Sequence, residues 1–596
     1  APVAAAATAP KPAAATQPTA AARPTPAPPS SGAAPNQLPR SQTLIFSESD
    51  AVNQFADVQI MNPHMPGIAR SGWHFAFEPL FLYNPYYSDQ VCGPPGVTCK
   101  NGEIPWQAES YAYNPDYTGL SIKLRSGVTW SDGQPFTASD VAFTVNMLKD
   151  NAPKLTWSVD MHQWVKEAVA VDPLTVNITL TGPNPRFMFN YFMFHEDLGV
   201  VILPEHIFKG QDPTTFTNFD MSKGWPVVTG PWKLTLSASE QKFWDRRDDW
   251  WGAKTGFHNL PAMRRIIDLP NLDDAKRIEL LASNQVDGTH DLQPANALAA
   301  LARNDKLIMW TKESPYGCLD WWPTSMFFND SKPPFNDPDI RWAINHALDR
   351  DQIVQLGYHG AGTKSILPFP AFLPMKPSFD AVSDILQKYP IDAFDLNKSA
   401  QIMQSKGYAK DQGGFWAKDG KRFSLEIQLS PSFFLDITPV IVAQLRKAGF
   451  DASFKSPSNF GTVEATGAFD AVIDGIGASV NDPYYTLSFF QSRYSAPTGQ
   501  PATHPYRWKN DQYDKIVDEM GNTSPSDPKL MNLYHQAMEI WIPNLPGIPL
   551  VQHYLYMPVN TTYWTDWPTA QNPYIIPSNW HRTSTLFINT LKPVTS

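Results

Sequence analysis

The most informative segment of the chain is Val128-Thr-Trp-Ser-Asp-Gly-Gln-Pro-Phe-Thr-Ala-Ser-Asp-Val-Ala-Phe143. Its Asp-Gly pair is typical of a tight turn, because glycine adopts backbone angles that other residues avoid. Thr137 then stands at a helix N-cap with Asp140 three residues later, at the spacing of a capping box. Apolar residues follow at helical spacing, at Val141, Val145 and Leu148. The segment therefore predicts a turn and then an amphipathic helix over 137–148.

Strands and helices alternate on both sides of this segment. Apolar or alternating runs predict strands over 42–47, 110–114, 118–124, 167–171, 175–180, 424–429 and 471–476. Helical spacing predicts helices over 72–81, 272–283, 339–348, 397–406, 437–448, 511–520 and 528–541. Because the two kinds of element are interleaved, we expect an α/β or α+β fold with mixed sheets.

Length and charge limit the classes of protein to consider. A chain of 596 residues corresponds to about three or four structural units. The 47 basic and 57 acidic residues give a net charge of −10, which argues against a nucleic-acid-binding surface and against a polybasic membrane contact. The 57 prolines argue against long uninterrupted helices. The chain has no apolar run of about 18 residues, so we expect no transmembrane helix.

The first forty residues differ in composition from the rest of the chain. They contain 15 alanines and 10 prolines, and their charged side chains are those of Lys11, Arg23 and Arg40. A segment with so little to bury is expected to be an extended, disordered tether. We expect it to hold an exported protein away from a membrane or cell wall; the alternative is a disordered tail with no anchoring role.

Three cysteines bear on the compartment. Cys92 and Cys99 flank a Gly-Pro-Pro-Gly turn, which predicts a short-loop disulfide, with two unpaired thiols as the alternative. A disulfide favours an oxidising compartment. Cys318 is expected to be a buried thiol. We expect no metal site, since no second Cys or His pair stands at metal-ligand spacing.

Motifs of catalysis are absent from the sequence. The Gly-rich stretch 357–365 lacks the direct Gly-Lys-Ser/Thr succession of a phosphate loop, so it is interpreted as a turn. Neither His-Glu-x-x-His nor Gly-x-Ser-x-Gly occurs. We therefore assign no catalytic residue and no cofactor; the missing motifs give an enzyme no positive evidence but do not exclude one.

Aromatic residues exceed what the core requires. The chain has 20 Trp, 21 Tyr and 34 Phe, and most are expected to fill the core. The adjacent pair Trp321-Trp322 is different, because neighbours on a strand point to opposite faces. If one face borders a cleft, its indole is a flat platform on which a sugar ring can stack.

Several segments together resemble a known family. The segment 128–143 is similar to the signature of extracellular solute-binding proteins of ABC importers, family 5, which bind peptides, oligosaccharides or nickel. Other segments agree in the expected order: Phe77-Glu-Pro-Leu-Phe81, Thr229-Gly-Pro-Trp-Lys233, Pro334 to Arg350, Phe469 to Gly475 and Tyr513-Asp-Lys-Ile516. The resemblance covers about residues 41–596.

This resemblance implies a two-lobed α/β clamshell of the type II periplasmic-binding-protein class, with an extra subdomain in the first lobe. It implies a monomeric extracytoplasmic protein, with or without a lipid anchor on its tether, that delivers a small-molecule ligand to the transmembrane subunits of an ABC permease. The expected units are a tether at 1–40, a first lobe at 41–76, 226–314 and 551–596, its subdomain at 77–225, and a second lobe at 315–550.

The ligand class depends on one aligned position. In peptide-binding members of the family, an aspartate after the strand equivalent to 469–476 holds the peptide ammonium. Ser479 stands at that position here, and a buried ammonium without an opposite charge is disfavoured. The resemblance therefore favours the oligosaccharide binders, of the cello-oligosaccharide, β-glucan or mannan type. The expected ligand contacts are Trp73, Trp321, Trp322, Ser479, Asn481, Asp482, Tyr484 and Tyr485.

Two alternatives remain open at this point. An oligopeptide or dipeptide carrier requires an acidic anchor in the cleft, and Asp482 supplies it if the alignment shifts by three residues. A secreted glycoside hydrolase requires two cleft carboxylates about 5–10 Å apart.

Overall fold

The folded chain begins and ends in the same lobe. A seven-stranded mixed sheet forms the centre of that lobe. The computed structural model describes residues 38–66, 72–431, 434–477, 479–504 and 506–595, without the side chains of 48–52 and 73. In spatial order the strands are Leu307–Ile308, Val559–Asn560, Gly288–Thr289, Thr43–Val52, Arg265–Asn271, Lys242–Arg246 and Trp232–Ser237. The strand Thr43–Val52 runs parallel to Arg265–Asn271, and its Leu44 and Phe46 are fully buried.

Two smaller sheets are formed by the part of the chain between the strands Thr43–Val52 and Trp232–Ser237 of this sheet. The first is four-stranded and antiparallel, in the order Ala108–Tyr113, Gly119–Leu124, Thr175–Leu180 and Val165–Asp172. The helices Ala138–Asp150 and Ser158–Trp164 pack against it. The second has the strands Glu103–Pro105, Phe81–Tyr83 and Met193–Phe194. A two-stranded sheet near the C-terminus pairs Trp564–Thr565 with Lys592–Pro593.

A five-stranded sheet is built from one continuous part of the chain. Its order is Asp451–Lys455, Ser424–Leu429, Ala471–Gly475, Cys318–Phe328 and Gly547–Leu555. The last two strands are antiparallel neighbours, and each connects this sheet to a strand of the seven-stranded sheet. We call residues 318–555 the second lobe and the remainder of the folded chain the first lobe. The chain crosses between the lobes on these two strands, where we expect the hinge of a clamshell.

Helices cover the sheets of both lobes. In the first lobe they include Trp73–Ala76, Glu205–Phe208, Trp251–Lys254, Asp274–Ala282, Pro294–Arg303 and Ser584–Ile588. In the second lobe they include Pro338–His346, Arg350–Gly357, Lys376–Asp380, Ser383–Lys388, Leu396–Ser405, Thr438–Ala448, Phe460–Thr466, Tyr484–Phe489, Asp511–Asn522 and Lys529–Asn544. A small sheet of Ala409–Lys410, Trp416–Lys418 and Lys421–Arg422 also belongs to this lobe. The α/β fold class is confirmed.

The capping box predicted at Thr137 is present. The backbone N–H of Thr137 donates to Asp140 Oδ2 at 2.8 Å, at the start of the helix Ala138–Asp150. Asp140 is buried, and its other oxygen accepts the N–H of Glu205 at 2.9 Å. One carboxylate therefore caps the helix and attaches the next segment to it.

The helix predicted over 72–81 is wrong beyond its first turn. The helix is Trp73–Ala76, and Phe81–Tyr83 is a strand. Pro79 has no backbone N–H and disfavours helical angles at the preceding residue. That residue, Glu78, is buried and accepts hydrogen bonds from the indoles of Trp106 at 2.9 Å and Trp251 at 2.7 Å.

The N-terminal tether lies almost wholly outside the described residues. Arg40, predicted to belong to it, is part of the folded first lobe. Its Nη2 lies 2.8 Å from Oδ1 of the buried Asp287, which also accepts the N–H of Ile45 through Oδ2. The unit boundaries predicted from the sequence otherwise stay predictions.

Candidate ligand-binding site

Trp321 and Trp322 line a cavity of about 340 Å³ in the second lobe. We call it the tryptophan cavity. Its other walls come from the helix Phe460–Thr466, from the end of the strand Ala471–Gly475 and from residues near His504. The side chains that give it its character are Trp321, Trp322, Glu464, Asp474, Phe489 and His504.

The position of Trp322 depends on aromatic stacking and on two glycines that leave space for its indole. Its indole stacks on the imidazole of His553, with ring centroids 4.0 Å apart and planes at 13°, and meets the ring of Phe434 edge-on. A Cβ on Gly475 would overlap the indole, and one on Gly477 would press against the Trp322 backbone and Cβ. The Gly-Ile-Gly sequence therefore makes the room in which this platform lies.

Two carboxyl groups meet in the tryptophan cavity. Glu464 belongs to the helix Phe460–Thr466 and Asp474 to the strand Ala471–Gly475. Burial and the neighbouring Asp474 carboxyl raise the pKa of Glu464 to about 9, and burial raises the pKa of Asp474 as well. Two adjacent carboxylates cannot both ionise cheaply, so the pair holds a proton at neutral pH. Sequence reasoning missed this pair, because its members are ten positions apart and belong to no recognisable motif.

Ser479 is engaged within its own loop. It is fully buried, and its Oγ accepts the N–H of Thr486 at 3.0 Å. The Ser479 N–H in turn donates to Thr486 Oγ1 at 3.3 Å. These reciprocal bonds fix the chain ahead of the helix Tyr484–Phe489. The hydroxyl expected at the ligand is therefore used in the local structure.

Asp482 is paired with an arginine of the first lobe. Arg186 Nε donates to Asp482 Oδ2 at 2.5 Å, and both side chains are 2% exposed. Arg186 Nη1 donates to the carbonyls of Met520, Gly521 and Thr523, at 2.9–3.0 Å. The guanidinium also lies over the ring of Tyr484, 4.5 Å from its centroid. Asp482 and Tyr484 are thus partners of Arg186.

Asn481 and Tyr485 line a second cavity, of about 480 Å³, between the two lobes. We call it the tyrosine cavity. Its aromatic side chains are Tyr111, Tyr113, Tyr117, Phe189 and Tyr485. Its charged side chains are Glu103, Arg186 and Asp482. Tyr111 Oη donates to Glu103, and the Met188 N–H donates to Tyr113 Oη at 2.8 Å.

The predicted contacts therefore fall into two groups. Trp321 and Trp322 share the tryptophan cavity, whereas Asn481, Asp482 and Tyr485 share the tyrosine cavity. The side chain of Trp73 lies outside the described residues. The tyrosines of the first lobe were missed, although the Tyr-x-Tyr pattern at 111–113 was available as a signal.

Cys92 and Cys99 form a disulfide, with an S–S distance of 1.99 Å. Cys318 is buried with a free thiol, and burial raises its pKa well above the usual range. Within the described residues, no group of three or more His, Cys, Asp or Glu side chains could hold a metal ion. The same residues include no helix long and apolar enough to cross a membrane.

The α/β fold has two lobes, with one aromatic cavity between the lobes and another beside the crossing strands. The family model described as "Bacterial extracellular solute-binding proteins, family 5 Middle" matches residues 103–497. The chain belongs to this family, and the resemblance seen in the sequence is confirmed. It is a substrate-binding component of an ABC importer and acts outside the cytoplasm.

Curated relatives and solved structures agree with this assignment. Protein XP55 of Streptomyces lividans is 26% identical over 449 residues, which are 75% of each chain. The nickel-binding periplasmic protein of Escherichia coli (strain K12) is 22% identical over 428 residues, 69% of this chain and 73% of the relative.

A periplasmic oligopeptide-binding protein of Thermotoga maritima has the same fold. One crystal structure has a TM-score of 0.77 at 22% identity and covers 93% of this chain and 100% of its own. A second, bound to mannohexaose, has a TM-score of 0.71 at 22% identity and covers 94% and 99%. The names of these relatives and structures include nickel, oligopeptide and mannohexaose, so the fold does not fix the ligand class.

Proposed function

We propose that this protein captures a neutral oligosaccharide, of the cello-oligosaccharide, β-glucan or mannan type, and delivers it to an ABC permease. The observation that carries the proposal is the tryptophan cavity, where two indoles lie beside two carboxyl groups. Sugar rings present apolar C–H faces that stack on indoles, and their hydroxyls bond to carboxyl oxygens. Mannohexaose in a protein of the same fold supports this ligand class.

The surroundings of Ser479 and Asp482 support a ligand without an ammonium group. Ser479 is buried in its loop, and Asp482 has its charge neutralised by Arg186. Withdrawing Asp482 from this pair to hold an ammonium would leave Arg186 buried without its counter-ion, which is strongly unfavourable. We therefore no longer propose Ser479 as a ligand contact, and Trp321 and Trp322 are the proposed stacking platforms.

A peptide carrier is the second candidate, and one observation favours it. The Glu464 and Asp474 carboxyls interact directly, and burial raises the pKa of both, so the pair holds a proton at neutral pH. An ammonium group entering the tryptophan cavity would displace that proton. A neutral sugar would leave the proton on the carboxyl pair. Proton release on binding therefore distinguishes a peptide ligand from a sugar.

A glycoside hydrolase is less well supported. Its two carboxyl groups act from opposite sides of a sugar, about 5–10 Å apart. Glu464 and Asp474 instead interact directly with each other through a side-chain hydrogen bond. No room for a sugar therefore lies between these two groups.

Isothermal titration calorimetry on the full chain tests the proposal. Cello- and manno-oligosaccharides are titrated separately, followed by a tripeptide mixture, in two buffers of different ionisation enthalpy. We expect heat with a sugar, the same heat in both buffers, and recovery of the sugar uncleaved. Peptide heat without sugar heat would overturn the proposal, and buffer-dependent peptide heat would establish the peptide carrier.

The remaining parts of the proposal concern delivery. We propose that the protein works as a monomer, that residues 1–39 tether it outside the cell membrane, and that the tether carries a lipid anchor. Lobe closure on the sugar presents a surface to the permease subunits. Size-exclusion chromatography with light scattering tests the monomer, and mass spectrometry of the membrane-extracted native protein tests the anchor.

A further inference from the structure

The register between the two crossing strands shifts at one point. The pairs on either side of it are Leu319 with Tyr554 and Pro323 with Gln552. Asp320, Trp321 and Trp322 therefore lie opposite a single residue, His553. Neighbours on a regular strand point to opposite faces, whereas a β-bulge of this kind re-aims its side chains. The bulge explains how two adjacent tryptophans both line the tryptophan cavity.

Asp320 holds the backbone of this bulge. A bulge takes backbone groups out of the ladder of the sheet, and a buried N–H needs another acceptor. The N–H of Trp321 donates to Asp320 Oδ1 at 2.7 Å. The side chain of Asp320 is 6% exposed, so its carboxyl interacts with the protein rather than with water. The carboxyl thus takes the place of a strand partner for the first tryptophan.

His553 connects the same carboxyl to the second tryptophan. Its Nε2 lies 3.9 Å from Asp320 Oδ2, and its ring is the one that stacks on Trp322. Burial lowers the pKa of His553 to about 4, so the imidazole is uncharged at neutral pH. The ring therefore supports the indole as a flat packing surface and not as a cation.

Charged groups of the first lobe lie near this contact. Glu196, Asp291 and His581 are close to Asp320, and Asp291 is also close to His553. Burial raises the pKa of Asp320 well above its usual range, against the lowering effect of His581. Burial thus favours the uncharged forms of both Asp320 and His553, so their contact does not depend on an ion pair. An uncharged amide at position 320 is expected to serve as well as the carboxyl.

We propose that Asp320 and His553 are positioning residues of the tryptophan cavity, in which Asp320 fixes the backbone of the bulge and His553 fixes the ring of Trp322. This inference rests on the proposed function, in which Trp321 and Trp322 are the stacking platforms for a sugar. Neither Asp320 nor His553 lines the tryptophan cavity, so each acts on the ligand through the tryptophans. Because both belong to the crossing strands, the platform is shaped at the expected hinge.

Calorimetry on full-length variants tests this role. His553→Phe keeps a flat ring beside Trp322, whereas His553→Leu keeps only the volume. Asp320→Asn keeps an acceptor for the backbone N–H, whereas Asp320→Leu removes it. The matched control is His290→Leu, because the imidazole of His290 packs on the indole of Trp580 with centroids 4.2 Å apart and lines neither cavity. Thermal melting establishes that each variant is folded.

Manno- and cello-oligosaccharides of two to six rings are titrated into each protein. We expect His553→Leu and Asp320→Leu to bind about tenfold more weakly than the wild type. His553→Phe, Asp320→Asn and the control should keep the wild-type affinity. In a Trp322→Leu background, His553→Leu should cause no further loss, because a positioning residue acts only through the ring that it positions.

Three results would overturn the proposal. The first is a loss in His553→Phe as large as that in His553→Leu. The second is an equal loss from His553→Leu with and without Trp322. The third is unchanged affinity of both leucine variants. If one leucine variant does not fold, the other decides.

A measurement without ligand separates this proposal from the proposed function. The near-ultraviolet circular dichroism of Trp322 is obtained by subtracting the spectrum of the matching Trp322→Leu protein, in the wild type and in each His553 variant. We expect this signal to persist in His553→Phe and to decrease strongly in His553→Leu, and an unchanged signal in His553→Leu would overturn the positioning role. Failure of the wild type to bind any of these sugars would overturn the proposed function, and the Trp322 signal would then decide the positioning role alone.

Discussion

The guanidinium of Arg186 and the carboxylate of Asp482 form a buried ion pair that joins the two lobes. Nε lies 2.5 Å from Oδ2, and the two residues are 296 positions apart in the chain. Arg186 also donates to three carbonyls at the end of the helix Asp511–Asn522, so one side chain satisfies both an acid and a helix C-terminus. Asp482, the aspartate nearest to Ser479 in the chain, therefore joins the two lobes in this protein.

Asp482→Asn is expected to lower the free energy of unfolding by about 3–5 kcal/mol, because it leaves the Arg186 charge buried without its counter-ion. Urea denaturation measures the change. The matched control is Asp518→Asn, whose carboxylate pairs with Arg493 at 3.0 Å with both side chains about half exposed. An exposed pair is worth at most about 1 kcal/mol. Similar losses in the two variants would contradict a special role for the interlobe pair.

Gly475→Ala is expected to weaken sugar binding by about tenfold without removing any side chain from the cavity. The added Cβ would overlap the indole of Trp322 and force it off the imidazole of His553. Calorimetry with the sugar bound by the wild type measures the loss. Gly182→Ala is the control, since its Cβ would meet nothing within 4 Å. Unchanged affinity of Gly475→Ala would show that the Trp322 platform does not contact the ligand.

The Glu464–Asp474 pair is expected to make stability depend on pH. The pKa of Glu464 is about 9 in the folded protein against 4.5 for the free group, so the folded state binds more protons between these values. The stability that Glu464 contributes through its raised pKa is fully present below pH 4.5 and is lost as the pH rises through about 9. Urea denaturation across this range measures the slope, and Glu464→Gln should flatten it. A stability of the wild type that rises over the same range relative to the variant would contradict the shared proton.

Removing the disulfide is expected to lower stability moderately. Cys92 and Cys99 close a loop with a sequence separation of 7, for which loop entropy predicts a loss of roughly 2–3 kcal/mol. The double variant Cys92→Ser/Cys99→Ser is compared with the oxidised wild type by thermal melting. The comparison is repeated with a reducing agent, which should lower the melting temperature of the wild type only. A reductant effect of the same size on both proteins would count against the disulfide as its cause.

Much of the fold follows from short-range patterns in the sequence. The capping box at Thr137 and Asp140 begins a helix where predicted, and the strands Ser424–Leu429 and Thr175–Leu180 have the predicted bounds. Each of these depends on residues within a few positions of each other, so local preferences suffice to predict them. The helix predicted over 72–81 ends early because Pro79 and the buried Glu78 outweigh the helical pattern.

The candidate site was predictable only in part. Trp321 and Trp322 stood out as an adjacent pair, and both line a cavity. Ser479 was expected at the ligand, but its hydroxyl is held by Thr486, which no alignment of single residues reveals. Glu464 belongs to no motif, and the Tyr-x-Tyr pattern at 111–113 does not by itself indicate a site, since a carboxyl or a phenol acquires its role from the groups that surround it.

The sequence by itself determined the family, the α/β class and the bounds of some helices and strands, because these follow from ordered motifs and local periodicity. Only the tertiary structure decided which groups meet. It pairs Arg186 with Asp482, brings Glu464 against Asp474, and divides the expected ligand contacts between two cavities. Such encounters arise from the packing of segments that are distant in the chain, and burial then sets the charge and the hydrogen bonds of each group.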